Sequence, residues 1–371
     1  MIVAIDRDAG ASMLHVSLLW SRQKTTTTDE IVPGLLLSFP GMPSRAPVAL
    51  FTFNRPDHTR RTLEALAANA LASDTDLIVF CDGPRSDADR AKTEATRAVV
   101  HAARGFASVR VVERPANLGL ARSVITGVRD VLDTHDRLIV LEDDMQTAPS
   151  FLTYMNAALT IYADEARVIS VCGYTPRLDV AVPDTYFLPG AHCWGWGTWR
   201  RGWALFNPDA RALFDAVLAR NLVYEFDVEG SESLTTLLYR SASGDPAIDS
   251  WALRWMASAI VHDKVTLYPA KSLLLNTGFD GSGTHGAVTE ALSTDLADRA
   301  LAIERRVATI CRPALDALRR VLIRWRAEES RRTRLLYSAF ERLPRPIRRR
   351  VYVWKTKDTL RRMASSAPSA S

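Results

Sequence analysis

Three carboxylates stand in a row at Glu142, Asp143 and Asp144, directly after the apolar run Leu138–Leu141. Adjacent carboxylates repel one another and ionise together cheaply only when a cation neutralises them. Hard oxygen ligands of this kind suit Mg²⁺ or Mn²⁺, which keep water and phosphate in their remaining positions. In an extended backbone Glu142 and Asp144 point one way and Asp143 the other, so one residue can hold a metal while a neighbour holds a sugar hydroxyl. The triplet by itself describes an acidic surface turn equally well. Its context shifts the balance. Asp82 follows the run Leu77–Cys81, Asn54 and Arg55 follow Val48–Phe53, and Asn117 opens the segment after Val109–Val112. A guanidinium meets a phosphate or a carboxylate, and an amide reads a base or an oxyanion. Each of these residues has a plain reading as a helix cap, turn residue or surface charge, yet together they put polar groups at four successive strand ends.

The elements that must position them alternate regularly. Apolar runs at Val48–Phe53, Leu77–Cys81, Val109–Val112 and Leu138–Leu141 are separated by helical patterns over 56–71, 86–104 and 118–133. This spacing predicts a parallel sheet with right-handed crossovers. Ligands of such sheets bind at the carboxyl ends of the strands, where the polar residues fall. Beyond about 165 the pattern turns irregular, with a Trp-rich stretch, helices near 211–221, 230–243 and 248–262, and a Gly-rich segment at 278–286. Gly278, Gly281, Gly283 and Gly286, with Asp280, Ser282 and Thr284 among them, suit a loop that closes over a bound ligand and excludes water; a plain connector is the alternative. No internal repeat is visible.

Composition narrows the class. The chain has 371 residues, 47% hydrophobic and 24% charged, enough for a sizeable core and too apolar for general disorder. No apolar run approaches the ~18 residues of a spanning helix, and Asp6 and Asp8 stand where a signal peptide needs positive charge. Cys81, Cys172, Cys193 and Cys311 make no CxxC pair and read as reduced core thiols of a cytoplasmic chain.

Charge is unevenly placed. Arg299 to Arg362 holds 20 Lys/Arg against 6 Asp/Glu, leaving 27 against 36 elsewhere, so an acidic body carries a basic tail. Leu315, Leu318, Leu322 and Trp325 recur at helical spacing among arginines, and Ile347, Val351, Tyr352 and Trp354 interleave with Arg345, Arg348, Arg349, Arg350, Lys355 and Lys357. Apolar anchors among cations fit a helix in the interface of an anionic membrane. Packing on the body or on a second subunit is the other reading. Nucleic acid is disfavoured, because no zinc-finger, RRM or KH signature is present.

The segments PVALFTFNRP, LIVFCDGP, NLGLARS and LIVLEDDMQTAPSF resemble the nucleotide-sugar half of GT-A glycosyltransferases, in particular N-acetylglucosaminyltransferase I and bacterial family-2-like sugar transferases. TYFLPGAHCWGWGTWRRGW resembles the strand and Gly/Trp loop after the metal site, AIDSWALRW the helix start with the catalytic aspartate, and NTGFDGSGTHG the late loop. The likeness covers roughly residues 46–290 in the family's order. It implies a GT-A, Rossmann-like mixed α/β sheet flanked by helices, with a basic helical C-terminal extension. It divides the chain into an extension at 1–41, a glycosyltransferase domain at 42–295 (nucleotide-sugar half 42–165, acceptor half 166–295) and a tail at 296–371.

By the same resemblance Asp144 coordinates Mn²⁺ or Mg²⁺, and Asp143 and Glu142 contact ribose or donor sugar. Asp82 bonds the base, uracil, while Asn54 and Arg55 line the nucleotide pocket and Asp249 is the general base. Asn117 joins this set by its strand-end position, and His285 sits where it reaches the diphosphate or the metal. One departure stands out: the family's Trp-Asp-Asp-Trp is here Ile248-Asp249-Ser250-Trp251. The implied reaction is inverting transfer of a hexosyl or N-acetylhexosaminyl group from a UDP-sugar to a glycan or glycolipid hydroxyl in surface-polysaccharide synthesis. It is placed in the cytoplasm, peripheral on the inner face of the membrane.

Trp194, Trp196, Trp199 and Trp203 offer aromatic faces for a sugar, or simply core; Trp251 and Trp255 read as packing, and His192 as structural. Three other classes compete. A sugar nucleotidyltransferase needs a Gly-rich loop after the first strand, and Asn54-Arg55-Pro56-Asp57 has no glycine. An aspartyl phosphatase needs a second Asp two residues after Asp82, where Pro84 stands. A non-catalytic carbohydrate- or nucleotide-binding scaffold on the same fold would not need the intact Asp144 and Asp249.

Overall fold

The computed structural model describes residues 45–278, 294–327 and 340–366, all within one compact unit spanning 43–371. Residues 1–41 and His285 lie outside the described residues. The nucleotide half begins with β1 (Val48–Thr52), α1 (Pro56–Ala67), β2 (Asp76–Cys81), α2 (Asp87–His101), β3 (Ser108–Glu113), α3 (Leu120–Leu132) and β4 (Arg137–Glu142). Pro56 opens α1 at a position whose N–H has no helical partner in any case. β1 is buried along its whole length and β4 along its middle four residues, which is why both read as unbroken apolar runs.

The eight strands run in the order β3-β2-β1-β4-β8-β6-β9-β7. The first four are mutually parallel, as the alternation of runs and helices predicts. The second half is mixed: β8 (Trp196–Trp199) lies antiparallel between β4 and β6 (Val168–Cys172), β9 (Val265–Pro269) runs parallel to β6, and β7 (Thr185–Pro189) closes the far edge antiparallel to β9. The chain leaves β1 toward β2 and β3, then returns to β4 on the other side of β1. The reversal of strand order therefore falls between β1 and β4, where a doubly wound sheet opens its ligand crevice.

Alternation of side chains divides two cores across this sheet. Val48, Leu50, Val79 and Leu141 face Leu63 and Leu66 of α1 and Leu152, Met155 and Leu159 of α4 (Phe151–Ile161). Ala49, Phe51, Ile78, Phe80 and Val140 face Val124, Val128 and Val131 of α3 and Trp255 of α9 (Trp251–Val261). A third cluster joins α9 to α6 (Ala210–Ala219), α7 (Val223–Phe226) and α8 (Leu234–Ala242). α5 is the single turn Arg200–Trp203. A two-stranded ribbon, β5 (Met145–Thr147) with β10 (Leu274–Asn276), grips the chain immediately after the acidic triplet, pairing Asn276 with Met145.

The tail forms α10 (Arg312–Ala327) and a last helix, α11 (Arg345–Ser366). Five of its arginines form ion pairs with the acidic body. Arg299 pairs with Asp184, Arg320 with Asp179, Arg349 with Glu225, and both Arg312 and Arg345 with Glu229. Part of the asymmetry of charge along the sequence is thus an internal match, and the packing reading holds for these residues. No helix among the described residues is long and apolar enough to cross a membrane.

Candidate active site

The crevice between β1 and β4 collects the polar strand ends. Arg55, just beyond β1, donates through Nη2 to Asp143 Oδ1 and, at 3.0 Å, to Asp144 Oδ2. Burial works against the Arg55 charge, but the two aspartates outweigh it and hold its pKa above the ordinary arginine value. Asp143 is pushed up to about 6 by burial, against the pull of Arg55. Glu142 is pushed up to about 8, first by burial and then by Asp144 and Asp143. Repulsion among the three is therefore only partly relieved by the single guanidinium.

Asp144 is held by its backbone. Its carbonyl accepts from Thr277 N–H at 2.8 Å and from the Thr277 hydroxyl at 3.1 Å, directly after β10. Thr62 of α1 donates to the Asp143 carbonyl at 2.8 Å. A Cβ at Gly278 would stand 2.2 Å from Asp144 Oδ2, so a side chain here would push the Asp144 carboxylate from its position. With the backbone fixed, Asp144 Oδ1 is buried and without a hydrogen-bond partner. Buried carboxylate oxygens are ordinarily satisfied. An unsatisfied one beside a guanidinium, in the ligand crevice of the fold, fits a divalent cation. Among the described residues no three His, Cys, Asp or Glu converge on one point.

The nucleotide-side residues play more structural parts than their sequence positions imply. Asp82 accepts three backbone N–H bonds: Oδ1 from Gly83 at 3.0 Å and Leu118 at 2.9 Å, Oδ2 from Gly119 at 3.1 Å. Asn117 donates to the Gly83 carbonyl at 2.9 Å and accepts from Gly119 N–H at 3.1 Å. The loops after β2 and β3 are thereby tied together, and Gly83 packs so tightly that a Cβ would lie 2.4 Å from the Ala116 carbonyl carbon. Asn54 donates to Asp89 Oδ1 at 2.8 Å, an oxygen that Arg85 Nη2 also reaches at 3.1 Å. These bonds fasten the loops after β2 and β3 to each other and the end of β1 to α2. Arg55, Asp143 and Asp144 are the set that meets within the crevice.

Asp249 is held by a different partner. It pairs with Arg254 at 2.7 Å, its side chain is 65% exposed, and no hydrogen bond or ion pair among the described residues joins it to the triplet. It lines a shallow cleft of about 410 Å³ with Asp209, Arg211, Asp245 and Arg254. Ser250 caps α9, accepting from Leu253 N–H at 3.2 Å. Trp251 stacks on Trp196 at 5.4 Å, and Trp196 pairs with Val140 two residues before Glu142. The start of α9 is thus anchored to the strand beside β4.

The tryptophans divide as the core reading expects. Trp196, Trp199 and Trp203 are buried, the first two in a strand and not at helix spacing, leaving Trp194 as the half-buried member of the four. His192 packs against Tyr174, with its Nδ1 3.7 Å from Cys172 Sγ. Burial pulls the imidazole down to about 4 and pushes the thiol up to about 12, so both are neutral near pH 7 and make no thiolate–imidazolium pair. All four cysteines are free; Cys81 and Cys172 are buried, whereas Cys193 and Cys311 are half-buried. Sequence reading missed Thr62, and it placed Thr277 and Gly278 in the late loop without their contacts to Asp144. For Thr62 the available signal was a polar β-branched residue on the inward face of α1.

Residues 48–174 match the family model described as "Glycosyl transferase family 2". This segment is a family-2-like glycosyltransferase fold. It spans the parallel half of the sheet, the crevice and the acidic triplet, and the mixed sheet with flanking helices is the GT-A arrangement. Two solved structures resemble the chain at 12% identity. S. aureus TarS 1-349 gives a TM-score of 0.33, covering 62% of this chain and 60% of its own. UDP-glucose pyrophosphorylase complexed with UDP-glucose gives a TM-score of 0.22, covering 42% of this chain and 69% of its own. The chain thus spans about three-fifths of the TarS fragment. At these scores the likeness carries no functional information. No curated protein matches the sequence. The family match supports a role in glycosyl transfer.

Proposed function

We propose that this chain transfers a hexosyl or N-acetylhexosaminyl group from a UDP-sugar to a hydroxyl of a glycan or glycolipid acceptor, with inversion at the anomeric carbon. The observation that carries the proposal is the buried, unpartnered Asp144 Oδ1 beside Arg55 in the crevice where the strand order reverses. Asp144 would hold Mn²⁺ or Mg²⁺, which when bound neutralises charge on the leaving diphosphate. Arg55 is placed to exchange part of its contact with Asp143 and Asp144 for a phosphate oxygen, as a guanidinium readily does. The tied loops carrying Asp82, Asn117 and Asn54 form the wall against which the nucleoside packs, and Glu142 and Asp143 supply hydroxyl-binding oxygens at its edge.

Asp249 takes the acceptor proton in this reading. Its open cleft gives an acceptor access, and the 2.7 Å pair with Arg254 orients its carboxylate. His285 joins the proposal as a contact to the diphosphate or the metal. The whole operates as a cytoplasmic enzyme of surface-polysaccharide synthesis, peripheral on the inner face of the membrane.

Asp249→Asn tests the assignment. With a UDP-sugar panel and a glycan or glycolipid acceptor, kcat should fall by about 10²–10⁴ while donor affinity stays as in wild type. A variant of unchanged kcat removes Asp249 from the base role. Metal-dependent UDP binding with no transfer to any acceptor would favour a scaffold on this fold.

A further inference from the structure

α11 presents two chemically different faces. One is fastened to the body: Arg345 to Glu229, Arg349 to Glu225 at 3.0 Å, and Tyr352 Oη to Asp227 Oδ2 at 2.9 Å, with Leu360 buried in the α6–α9 cluster. The other carries Ile347, Val351 and Trp354, exposed by 46%, 41% and 68%. These are three of the six large hydrophobic residues that are exposed among the described residues, and they fall on one helix. Spaced by four and then three residues at about 100° per residue, they form a single narrow stripe.

Cations rim this stripe. By the same helical arithmetic Arg350, Lys357 and Arg361 lie along one flank and Lys355 along the other. All four are exposed, and none of their side chains makes an ion pair or hydrogen bond among the described residues. The contrast with Arg345, Arg348 and Arg349, each paired with a carboxylate, is consistent along the helix. The one acid on the exposed side, Asp358, is taken by Arg362 at 2.8 Å. Internal charge matching therefore accounts for one face and leaves the other apolar at its centre and basic at its edges.

We propose that the Ile347–Val351–Trp354 stripe of α11, with Arg350, Lys355, Lys357 and Arg361 around it, docks on an anionic lipid bilayer. Apolar side chains at the centre enter the boundary between headgroups and acyl chains, while long cationic stems reach back to lipid phosphates. Trp is favoured at that depth because its ring is apolar and its N–H is polar. A second copy of the same face would bring like charges together across a two-fold axis, which disfavours it as the occupant. A nucleic-acid backbone would match the rim but not the apolar centre. The docking gives the peripheral placement proposed above a defined surface, and it requires neither nucleotide nor metal.

The test is co-sedimentation of the full-length protein with vesicles of phosphatidylglycerol and phosphatidylcholine, and with phosphatidylcholine alone. Binding to the anionic vesicles should weaken as salt rises. It should fall about tenfold or more in Arg350→Glu/Lys357→Glu, and by a similar factor in Val351→Ser/Trp354→Ser. Both variants should keep the wild-type melting temperature and UDP affinity, which separates this proposal from the donor-site reading. The proposal is overturned by absence of vesicle binding, by equal binding to phosphatidylcholine alone, or by variants that bind like wild type. A concentration-dependent dimer in sedimentation velocity that Val351→Ser/Trp354→Ser abolishes would also overturn it, by assigning the stripe to a second copy.

Discussion

Replacing Arg55 by Met tests the electrostatics of the crevice. Among the described residues Arg55 is the one cation bonded to Asp143 and Asp144, and its side chain is 20% exposed, against 5% and 11% for its partners. Breaking a buried ion pair from one side costs about 3–5 kcal/mol, because the remaining charge stays desolvated. Partial solvent access places the loss near the lower end, about 3 kcal/mol. With an unfolding entropy of about 2.1 cal/mol/K per residue over roughly 330 residues, that lowers Tm by about 4 °C. A divalent cation should offset the change. At 100 times its Kd an ion binding only the native state adds about 2.7 kcal/mol, returning most of the lost stability. The wild type, already partly neutralised, should gain less. Differential scanning calorimetry with and without Mn²⁺ on both proteins measures this. A loss under about 1 kcal/mol, or an identical Mn²⁺ effect in the two proteins, would refute the reasoning.

Three further outcomes follow from the same structure. Gly278→Ala, whose Cβ would meet Asp144 Oδ2 at 2.2 Å, should weaken Mn²⁺-dependent nucleotide binding by about tenfold, read by calorimetry. Gly83→Ala should separate the loops that Asp82 and Asn117 tie together, lowering stability by about 2 kcal/mol and weakening nucleotide affinity even without metal; unchanged affinity would detach this wall from the site. Glu229, 4% exposed, is held below the ordinary glutamate value because Arg312 and Arg345 outweigh its burial. Its folded pKa is depressed, so its contribution is full above about pH 4.5 and is lost as pH falls through the folded value. Glu229→Gln should therefore destabilise by about 2–3 kcal/mol at pH 7 and by much less near pH 3.5, in urea melts; a gap independent of pH would contradict the pairing.

The parallel half of the fold was legible because β1, β2 and β4 are buried on both faces, so Val48–Phe53, Leu77–Cys81 and Leu138–Leu141 are mostly apolar, whereas the edge strand β3 is only half-buried and shows as valines around Arg110. β1 to β4 lie within a residue of the spans expected for them. The helices over 211–221, 230–243 and 248–262 appear as α6, α8 and α9 with shifted ends. Less visible were β5 and β10, three residues each, whose pairing depends on a contact between residues about 130 positions apart. β8 was hidden by its tryptophans, whose spacing imitates a helix although Trp196–Trp199 is a strand held between β4 and β6.

At the site, residue types at strand ends gave the right neighbourhood. Local sequence does not reveal that Asp82 would turn its oxygens to three backbone N–H groups, because those donors belong to its own loop and the next. Nor does the count of tail arginines reveal which are paired with the body, since their acids lie more than 80 residues earlier. Only packing separates Arg349 from Arg350.

The central claim is that Asp144 and its crevice bind a sugar nucleotide through a divalent cation. Isothermal titration of UDP and a panel of UDP-sugars, with and without Mn²⁺, on wild type and Asp144→Ala tests it most directly. The account predicts selective UDP-sugar binding that requires the metal and is lost in Asp144→Ala while the fold melts normally. Absence of nucleotide binding under every condition, or metal-independent binding that survives in Asp144→Ala, would contradict it.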